Sequence, residues 1–233
     1  NIAENVAVHA KAAERTAVAM FSLEMSKESL VQRLMCSVAK VDIHKIRRGY
    51  ASADEYKRLQ NAAAQLHEAP IFIDDTAAIG ILEMRAKARR LVSETPLGLI
   101  VIDYLQLIRG PQSAENRQQE ISSISRSLKA LAKELQVPVL ALSQLNRGVE
   151  KRKGEPPMLS DLRESGAIEQ DADVVMFLHR DDGDEKDGPP VQQGDTQQVQ
   201  LIVAKQRQGP TGKVDLVFFK TNTFFAEVTG GGG

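Results

Sequence analysis

The stretch Leu99-Ile100-Val101-Ile102-Asp103-Tyr104 decides the fold that we predict for this chain. Four consecutive aliphatic residues are typical of a strand that is buried on both faces, as in a parallel sheet covered by helices. The run ends in a single carboxylate, that of Asp103. Because ligands bind at the carboxyl ends of strands in open parallel sheets, the sequence predicts that Asp103 lies at a ligand site.

Strand-like runs alternate with helical patterns on both sides of this stretch. Alternation at this spacing implies right-handed βαβ crossovers, and therefore an α/β fold with a mainly parallel sheet flanked by helices. Residues 213–228 instead predict a hairpin that turns near Lys220–Thr223, which adds antiparallel strands at the C-terminal edge. The predicted strands are Thr16–Leu23, Ile71–Asp74, Leu99–Asp103, Val137–Leu142, Val174–Leu178, Val199–Ala204 and Val214–Phe219, and the predicted helices are Lys27–Val41, Asp54–Glu68, Ile79–Ser93 and Asn116–Gln136.

We expect residues 1–229 to form one domain, interrupted by polar loops at residues 109–117 and 181–194. Residues 1–15 have the apolar spacing of an amphipathic helix but no capping signal before them. We therefore expect the chain to start inside a helix, truncated before residue 1. Residues 230–233 are all glycine and are expected to form a flexible tail.

The composition narrows the class of protein. Hydrophobic residues make up 42% of the chain and charged residues 26%, which is ordinary for a globular protein. The net charge of -1 means that any contact with nucleic acid is expected to come from local loops. Cys36 is the only cysteine, which excludes an internal disulfide framework and fits a cytoplasmic protein. No apolar run approaches the roughly 18 residues of a membrane span, so we expect no membrane association.

Polar side chains follow several of the predicted strands. Glu24 follows the first strand, Asp103 ends the third, Gln144 follows the fourth, and residues 205–212 follow the sixth. Asp103 ending a buried strand is the Walker B pattern, in which the carboxylate holds a Mg²⁺ that bridges nucleotide phosphates. Each feature also has a plainer interpretation: Glu24 as a charge at a helix N-terminus, Gln144 as a partner of loop backbone, and residues 205–212 as an exposed turn. The functional interpretation gains weight because the features occur together.

Five segments, in this order, resemble the successive motifs of the DnaB-type replicative helicases. The similarity extends from about Asn1 to Val228, which implies the RecA-like C-terminal motor domain of that family. The five segments are Ser22–Met25, Ile102–Gln106, Leu142–Arg147, Asp161–Asp173 and Lys205–Gly212.

The resemblance implies a ring-shaped helicase motor that couples ATP hydrolysis to translocation on single-stranded DNA and to duplex unwinding. Glu24 is then the general base that polarises the attacking water, Asp103 positions Mg²⁺, and Gln144 senses the γ-phosphate of ATP. Lys205 and Arg207 lie two residues apart, so both point to one face of an extended segment. In the family this pair reaches the ATP of the neighbouring subunit, with Arg207 as the arginine finger.

The fourth segment resembles the DNA-facing loop of the family. Arg163 is expected to contact the phosphate backbone, assisted by Glu164 and the backbone of Gly166. Arg117 and Arg109 are weaker candidates on a second loop. The plainer interpretation is that Arg163 and Glu164 form a surface ion pair. The family further implies a hexameric ring of identical subunits, with a primase and a helicase loader as partners.

The sequence contains no G-x-x-x-x-G-K-[ST] loop, which would cradle the phosphates of ATP. The amides and lysine of that loop supply most phosphate contacts, so we expect this chain by itself to be inactive unless another chain contributes the loop. The alternative is a non-catalytic helicase fragment that acts as an oligomerisation or loader-binding module. A recombinase or circadian-clock ATPase is a further alternative, and the segments Ser22–Met25 and Lys205–Gly212 speak against it.

Overall fold

The chain divides into two compact units, Asn1–Gln144 and Leu145–Gly233. A computed structural model describes residues 2–9, 16–111, 114, 116–146, 148–149, 152, 154–180 and 196–228, with only the backbone of residues 8, 9 and 163–165. The predicted glycine tail at residues 230–233 and the predicted loop at residues 181–194 lie outside the described residues. That residues 1–229 form one domain stays a prediction.

The first unit is built on a four-stranded parallel sheet. Its strands stand in the order β2-β1-β3-β4, so β1 and β3 occupy the centre. Val18 of β1 and both Ile100 and Ile102 of β3 have no exposed surface. The central strands are thus covered on both faces, as the aliphatic run before Asp103 predicts. The strands are β1 (Ala17–Ser22), β2 (Ile71–Asp74), β3 (Leu97–Asp103) and β4 (Val139–Ala141).

Helices connect these strands at the places where the apolar periodicity predicts them. The longest, α6, buries one stripe that includes Ile121, Ile124, Leu128 and Leu131. A capping box fixes the start of α4, where Ser52 Oγ accepts from the Glu55 amide at 3.2 Å and a Glu55 carboxylate oxygen accepts from the Ser52 amide at 2.8 Å. The elements are α1 (Ile2–Glu4), a π-helix (Asn5–His9), α2 (Lys27–Ala39), α3 (Ile43–Arg48), α4 (Ala53–Glu68), α5 (Ile81–Glu94), a 3-10 helix (Leu105–Leu107) and α6 (Arg117–Leu135).

The N-terminal helical turns pack into the core of the first unit. Ala3 and Ala7 are buried in one apolar cluster with Val18, Leu99 and Val101. The helix predicted over residues 1–15 is therefore helical where it is described, and residues 1 and 10–15 lie outside the described part. None of the helices that the structure describes combines the length and apolarity needed to cross a membrane.

The second unit is built on a separate antiparallel sheet in the order β5-β6-β7-β8. The predicted C-terminal hairpin is confirmed, with Phe219 of β7 opposite Phe224 of β8. The antiparallel part is larger than predicted, because β5 also pairs antiparallel with β6, placing Phe177 beside Ile202. The elements are a 3-10 helix (Leu159–Ser165), α7 (Gly166–Asp171), β5 (Val174–His179), β6 (Thr196–Gln206), β7 (Gly212–Phe219) and β8 (Phe224–Glu227).

Two arginines of α5 bind one carboxylate of α6. Arg89 Nε lies 2.5 Å from Glu134 Oε1, and Arg85 Nη2 lies 3.1 Å from Glu134 Oε2. The hydrogen bond from Arg89, followed by that from Arg85, lowers the pKa of Glu134 from 4.5 to about 2. A carboxylate whose pKa is depressed in the folded state stabilises it above the unfolded pKa, and this contribution falls as the pH drops towards the folded pKa.

Glu134→Gln is therefore expected to lower the free energy of unfolding at pH 7 and to lower it less at pH 3. The two values are measured by urea unfolding across that range. The matched control is Glu94→Gln, because Glu94 pairs with Arg90 along the exposed side of α5 and exposed pairs of this kind contribute little. A difference between wild type and Glu134→Gln that is equal at pH 7 and pH 3 contradicts the prediction.

Candidate functional site

Two carboxylates meet at the carboxyl ends of the central strands of the first unit. The parallel register places Ser22, the last residue of β1, beside Asp103, the last residue of β3. The amide of Leu23 donates to the carbonyl of Asp103 at 2.8 Å, and Ser22 Oγ donates to the carbonyl of Met25 at 2.7 Å. These bonds fix the turn that carries Glu24 next to the end of β3.

The electrostatics of this pair favour a bound cation. Burial raises the pKa of Asp103 above its ordinary value, the negative charge of Glu24 raises it further, and Arg33 opposes the rise. Ionisation of Asp103 is therefore costly in the free chain, and a cation placed between the two carboxylates would relieve that cost. Carboxylate oxygens are the ligands that Mg²⁺ prefers.

The structure also bears on the plainer interpretation of Glu24. Helix α2 begins at Lys27 with Ser26 as its N-cap, and the acid in its first turn is Glu28. Glu24 is exposed in the turn before this cap. Because the effect of a helix dipole falls off within the first turn, Glu28 is better placed than Glu24 to serve as the helix-terminal charge.

Gln144 follows β4, and its backbone is bound by a side chain from the segment that follows β3. Gln106 Nε2 donates to the Gln144 carbonyl at 3.3 Å, and Gln106 Oε1 accepts from the Gln144 amide at 3.2 Å. Gln106 Nε2 also donates to Ser143 Oγ at 2.9 Å. The side chain of Gln144 itself is exposed, as a residue that contacts a ligand requires.

Arg117, a candidate for DNA contact, is engaged within the first unit. Its guanidinium donates to the carbonyl of Gln106 and pairs with Glu120. Glu120 in turn accepts the amide of Gly110 at 2.8 Å, which together with Arg117 lowers the pKa of Glu120. Arg109 has an exposed side chain. The charge of Arg117 is thus partly neutralised, whereas the side chain of Arg109 faces solvent.

Lys205 and Arg207 converge on one helix end in the second unit. Lys205 Nζ donates to the carbonyl of Glu169, and the Arg207 guanidinium donates to the carbonyl of Gln170, both at the C-terminal end of α7. The amide of Arg207 donates to the Asp173 carbonyl at 2.9 Å. Cations are favoured at a helix C-terminus. The two side chains therefore end close together, in agreement with their spacing in the sequence.

The predicted DNA contacts of the fourth segment lie around the start of α7. Arg163 and Glu164 belong to the 3-10 helix Leu159–Ser165, and their side chains lie outside the described part of the chain. Gly166 is exposed and is the first residue of α7. Whether these residues contact DNA stays a prediction.

Asp161 has a structural role that the sequence does not indicate. It is only 7% exposed, accepts the Met158 amide at 2.8 Å, and pairs with Arg152. These contacts lower the pKa of Asp161, the backbone bond contributing most. Its carbonyl also accepts the amide of Asn146 at 3.1 Å. Asp161 therefore ties the start of the candidate DNA-facing segment to the stretch that follows Gln144 in the chain.

The number of metal-binding side chains near Asp103 indicates which kind of metal site this chain can form. Among the described residues, no group of three or more His, Cys, Asp or Glu side chains lies close enough to hold a metal ion. A Mg²⁺ that arrives with a nucleotide needs only one or two carboxylates, because phosphates and water supply the other ligands. Asp103 beside Glu24 fits that second kind of site.

Comparison with known proteins gives one consistent result. The family profile described as DnaB-like helicase C terminal domain matches residues 1–227. The chain is 51% identical over 229 residues to the replicative DNA helicase DnaB of Geobacillus stearothermophilus, covering 98% of this chain and 48% of that protein. It is 48% identical over 229 residues to the replicative DNA helicase DnaC of Bacillus subtilis (strain 168), with the same coverage. The chain therefore spans about half the length of the curated relatives it matches.

Solved structures show the same relationship. One of them, described as an ATPase domain, superposes with a TM-score of 0.83 at 39% identity, covering 91% of this chain and 75% of that one. A DnaB-like replicative helicase, described with its interactions with primase, gives a TM-score of 0.82 at 39% identity, covering 91% of this chain and 51% of that one. The predicted RecA-like α/β class is confirmed.

Proposed function

Since this chain belongs to the family of DnaB-like helicase C-terminal domains, we propose that it is the motor domain of a ring-shaped replicative DNA helicase. The motor couples ATP hydrolysis to translocation on single-stranded DNA and to unwinding of the duplex. The observation that carries the proposal is the pair of carboxylates, Glu24 and Asp103, at adjacent strand ends of a helicase-family fold. We further propose that residues 1–229 act as one RecA-like domain.

ATP and Mg²⁺ are the cofactors of this proposal. The similarity to a solved ATPase domain supports ATP, and the raised pKa of Asp103 supports a cation beside it. Asp103 would hold the Mg²⁺ directly or through water, and the ion would neutralise charge on the β- and γ-phosphates. Glu24 orients a water molecule and accepts its proton, and the side-chain amide of Gln144 hydrogen-bonds the γ-phosphate.

Lys205 and Arg207 complete the catalytic site of a neighbouring subunit. The side chains of Lys205 and Arg207 both donate hydrogen bonds to backbone carbonyls of α7 in the second unit. Half of the Arg207 side chain is exposed. The Arg207 guanidinium donates to the Gln170 carbonyl and lies 3.7 Å from a carboxylate oxygen of Asp173. Phosphate oxygens of a neighbouring nucleotide would compete with these two partners for the N–H groups of Arg207. Contribution in trans requires a closed assembly, and we propose the hexameric ring.

Single-stranded DNA is the proposed nucleic-acid partner. Arg163 would bind the phosphate backbone, because a translocating motor must ignore base sequence. Glu164 and the backbone of Gly166 would assist Arg163, and Arg117 is a weaker candidate on a second loop. The relative described with primase supports a primase as a protein partner. A helicase loader and a cytoplasmic location complete the proposal.

A second candidate function rests on the absence of a G-x-x-x-x-G-K-[ST] segment from the 233 residues. Without the phosphate contacts of that loop, this polypeptide by itself would act as a non-catalytic module for oligomerisation or for binding a loader or another partner. This candidate concerns the polypeptide by itself, whereas the motor concerns a protein in which the phosphate-binding loop is also present.

The test measures ATP turnover with and without single-stranded DNA. We expect no turnover from the 233-residue polypeptide alone, and turnover stimulated by DNA from a protein that contains these residues together with a phosphate-binding loop. Asp103→Asn in the latter protein is the control for contaminating ATPases. Turnover by the 233 residues alone contradicts their proposed inactivity, and no turnover when the loop is present contradicts the motor.

A further inference from the structure

One side-chain amide, that of Gln106, bridges the segments that follow β3 and β4. Its nitrogen donates to Ser143 Oγ at 2.9 Å and to the Gln144 carbonyl at 3.3 Å, while its oxygen accepts the Gln144 amide at 3.2 Å. Donor and acceptor are thus both used, and the two bonds to Gln144 join a side-chain amide to a backbone amide and carbonyl. An amide side chain offers both functions in one plane without a change of protonation state.

Gln106 is itself firmly held. It belongs to the 3-10 helix Leu105–Leu107, which begins two residues after Asp103. Leu105 is only 3% exposed, and its amide donates to the Leu142 carbonyl at 2.9 Å. On the other side, the carbonyl of Gln106 accepts a hydrogen bond from the guanidinium of Arg117. Direct hydrogen bonds therefore connect both the end of β3 and Arg117 to the backbone of Gln144 by way of Gln106.

We propose that Gln106 is a positioning residue that fixes Gln144 relative to Asp103 and links it to Arg117. The inference rests on the proposed function, in which Gln144 contacts the nucleotide and Arg117 faces DNA. Gln106 touches neither ligand. Gln106 holds the backbone of Gln144 and thereby fixes the position from which the Gln144 side chain reaches the nucleotide. It also couples the movement of the nucleotide-binding residues to that of Arg117 on the DNA side of the first unit.

The first test removes both hydrogen-bonding functions while keeping the volume of the side chain. In a protein that contains this chain and a phosphate-binding loop, Gln106→Met is expected to lower the DNA-stimulated kcat for ATP about tenfold, with the KM for ATP changed less than about twofold. Gln106→Glu keeps the shape but places an oxygen against the Gln144 carbonyl, so we expect a loss at least as large. The matched control is Gln65→Met, at an exposed position of α4, which is expected to have no effect.

A double variant separates positioning from general stability. If Gln106 acts through Gln144, then Gln144→Ala and the double variant Gln106→Met/Gln144→Ala have the same kcat, because the second change removes nothing further. A loss of general stability would instead multiply the two effects. Multiplicative effects on kcat overturn the proposal.

Amide hydrogen exchange tests the contact between Gln106 and Gln144 without a measurement of ATP turnover. On the 233-residue chain, Gln106→Met is expected to speed the exchange of the Gln144 amide about fivefold, because one hydrogen bond is lost, and to leave amides of α4 unchanged. Equal exchange of the Gln144 amide in wild type and variant overturns the proposal. If no protein containing this chain hydrolyses ATP, the proposed function fails, and the exchange measurement still decides whether Gln106 positions Gln144.

Discussion

Arg207→Ala is expected to lower the ATP turnover of a ring-forming protein that contains this chain and a phosphate-binding loop by about a thousandfold. An arginine supplied to a neighbour's nucleotide stabilises charge that develops on the transferring phosphoryl group, so its loss mainly affects kcat. The backbone of Arg207 is anchored through its amide to the Asp173 carbonyl at 2.9 Å. Alanine keeps that bond, so we expect the turn and the thermal stability to be retained.

Two controls accompany this measurement. Arg207→Lys is expected to restore little activity, because an ammonium group lacks the planar fork that binds two phosphate oxygens. Lys213→Ala removes an exposed cation from the neighbouring strand β7 and is expected to leave turnover unchanged. A variant Arg207→Ala that retains more than half of the wild-type kcat contradicts the role of Arg207 as a finger.

The parallel unit was predictable because local pattern and buried environment agree there. The run before Asp103 is aliphatic on both faces, and it forms the fully buried part of β3. The stripe that includes Ile121 and Leu131 repeats at helical spacing, and it forms the buried side of α6. The short elements were not predictable. Helix α3 (Ile43–Arg48) has only six residues, which is too short for a periodic signal, and is capped by Gly49 with φ 74.

Some residues of the candidate site could likewise be predicted from the sequence, and others could not. Glu24 and Asp103 could be located from sequence, because residues that directly follow parallel strands gather at one edge of the sheet. Gln106 could not, since its bonds to Gln144 join positions 38 residues apart and a polar side chain after a strand carries no local signal of such a contact. The structural role of Asp161 is not predictable for the same reason, since its carboxylate binds Arg152, nine residues earlier in the chain, and the amide of Met158.

Glu24→Gln is expected to lower ATP turnover between about a hundredfold and ten-thousandfold, which is the contribution of a general base. The change keeps the shape of the side chain, so the turn fixed by Leu23 and Asp103 is retained and nucleotide binding is expected to persist. Because the charge of Glu24 raises the pKa of Asp103, the same variant is expected to lower that pKa, measured by NMR titration. Glu28→Gln, in the first turn of α2, is the control and is expected to leave turnover unchanged.

Mixing the two inactive proteins tests whether the site is shared between subunits. If Glu24 and Arg207 act on one nucleotide from different subunits, an Arg207→Ala subunit still supplies Glu24 and a Glu24→Gln subunit still supplies Arg207. In rings assembled randomly from equal amounts of both, about a quarter of the head-to-tail interfaces then combine the two intact residues. We therefore expect the mixture to have about a quarter of the wild-type ATP turnover. If both residues instead served a site within one subunit, every site would lack one of them, and the mixture would remain as inactive as its parts.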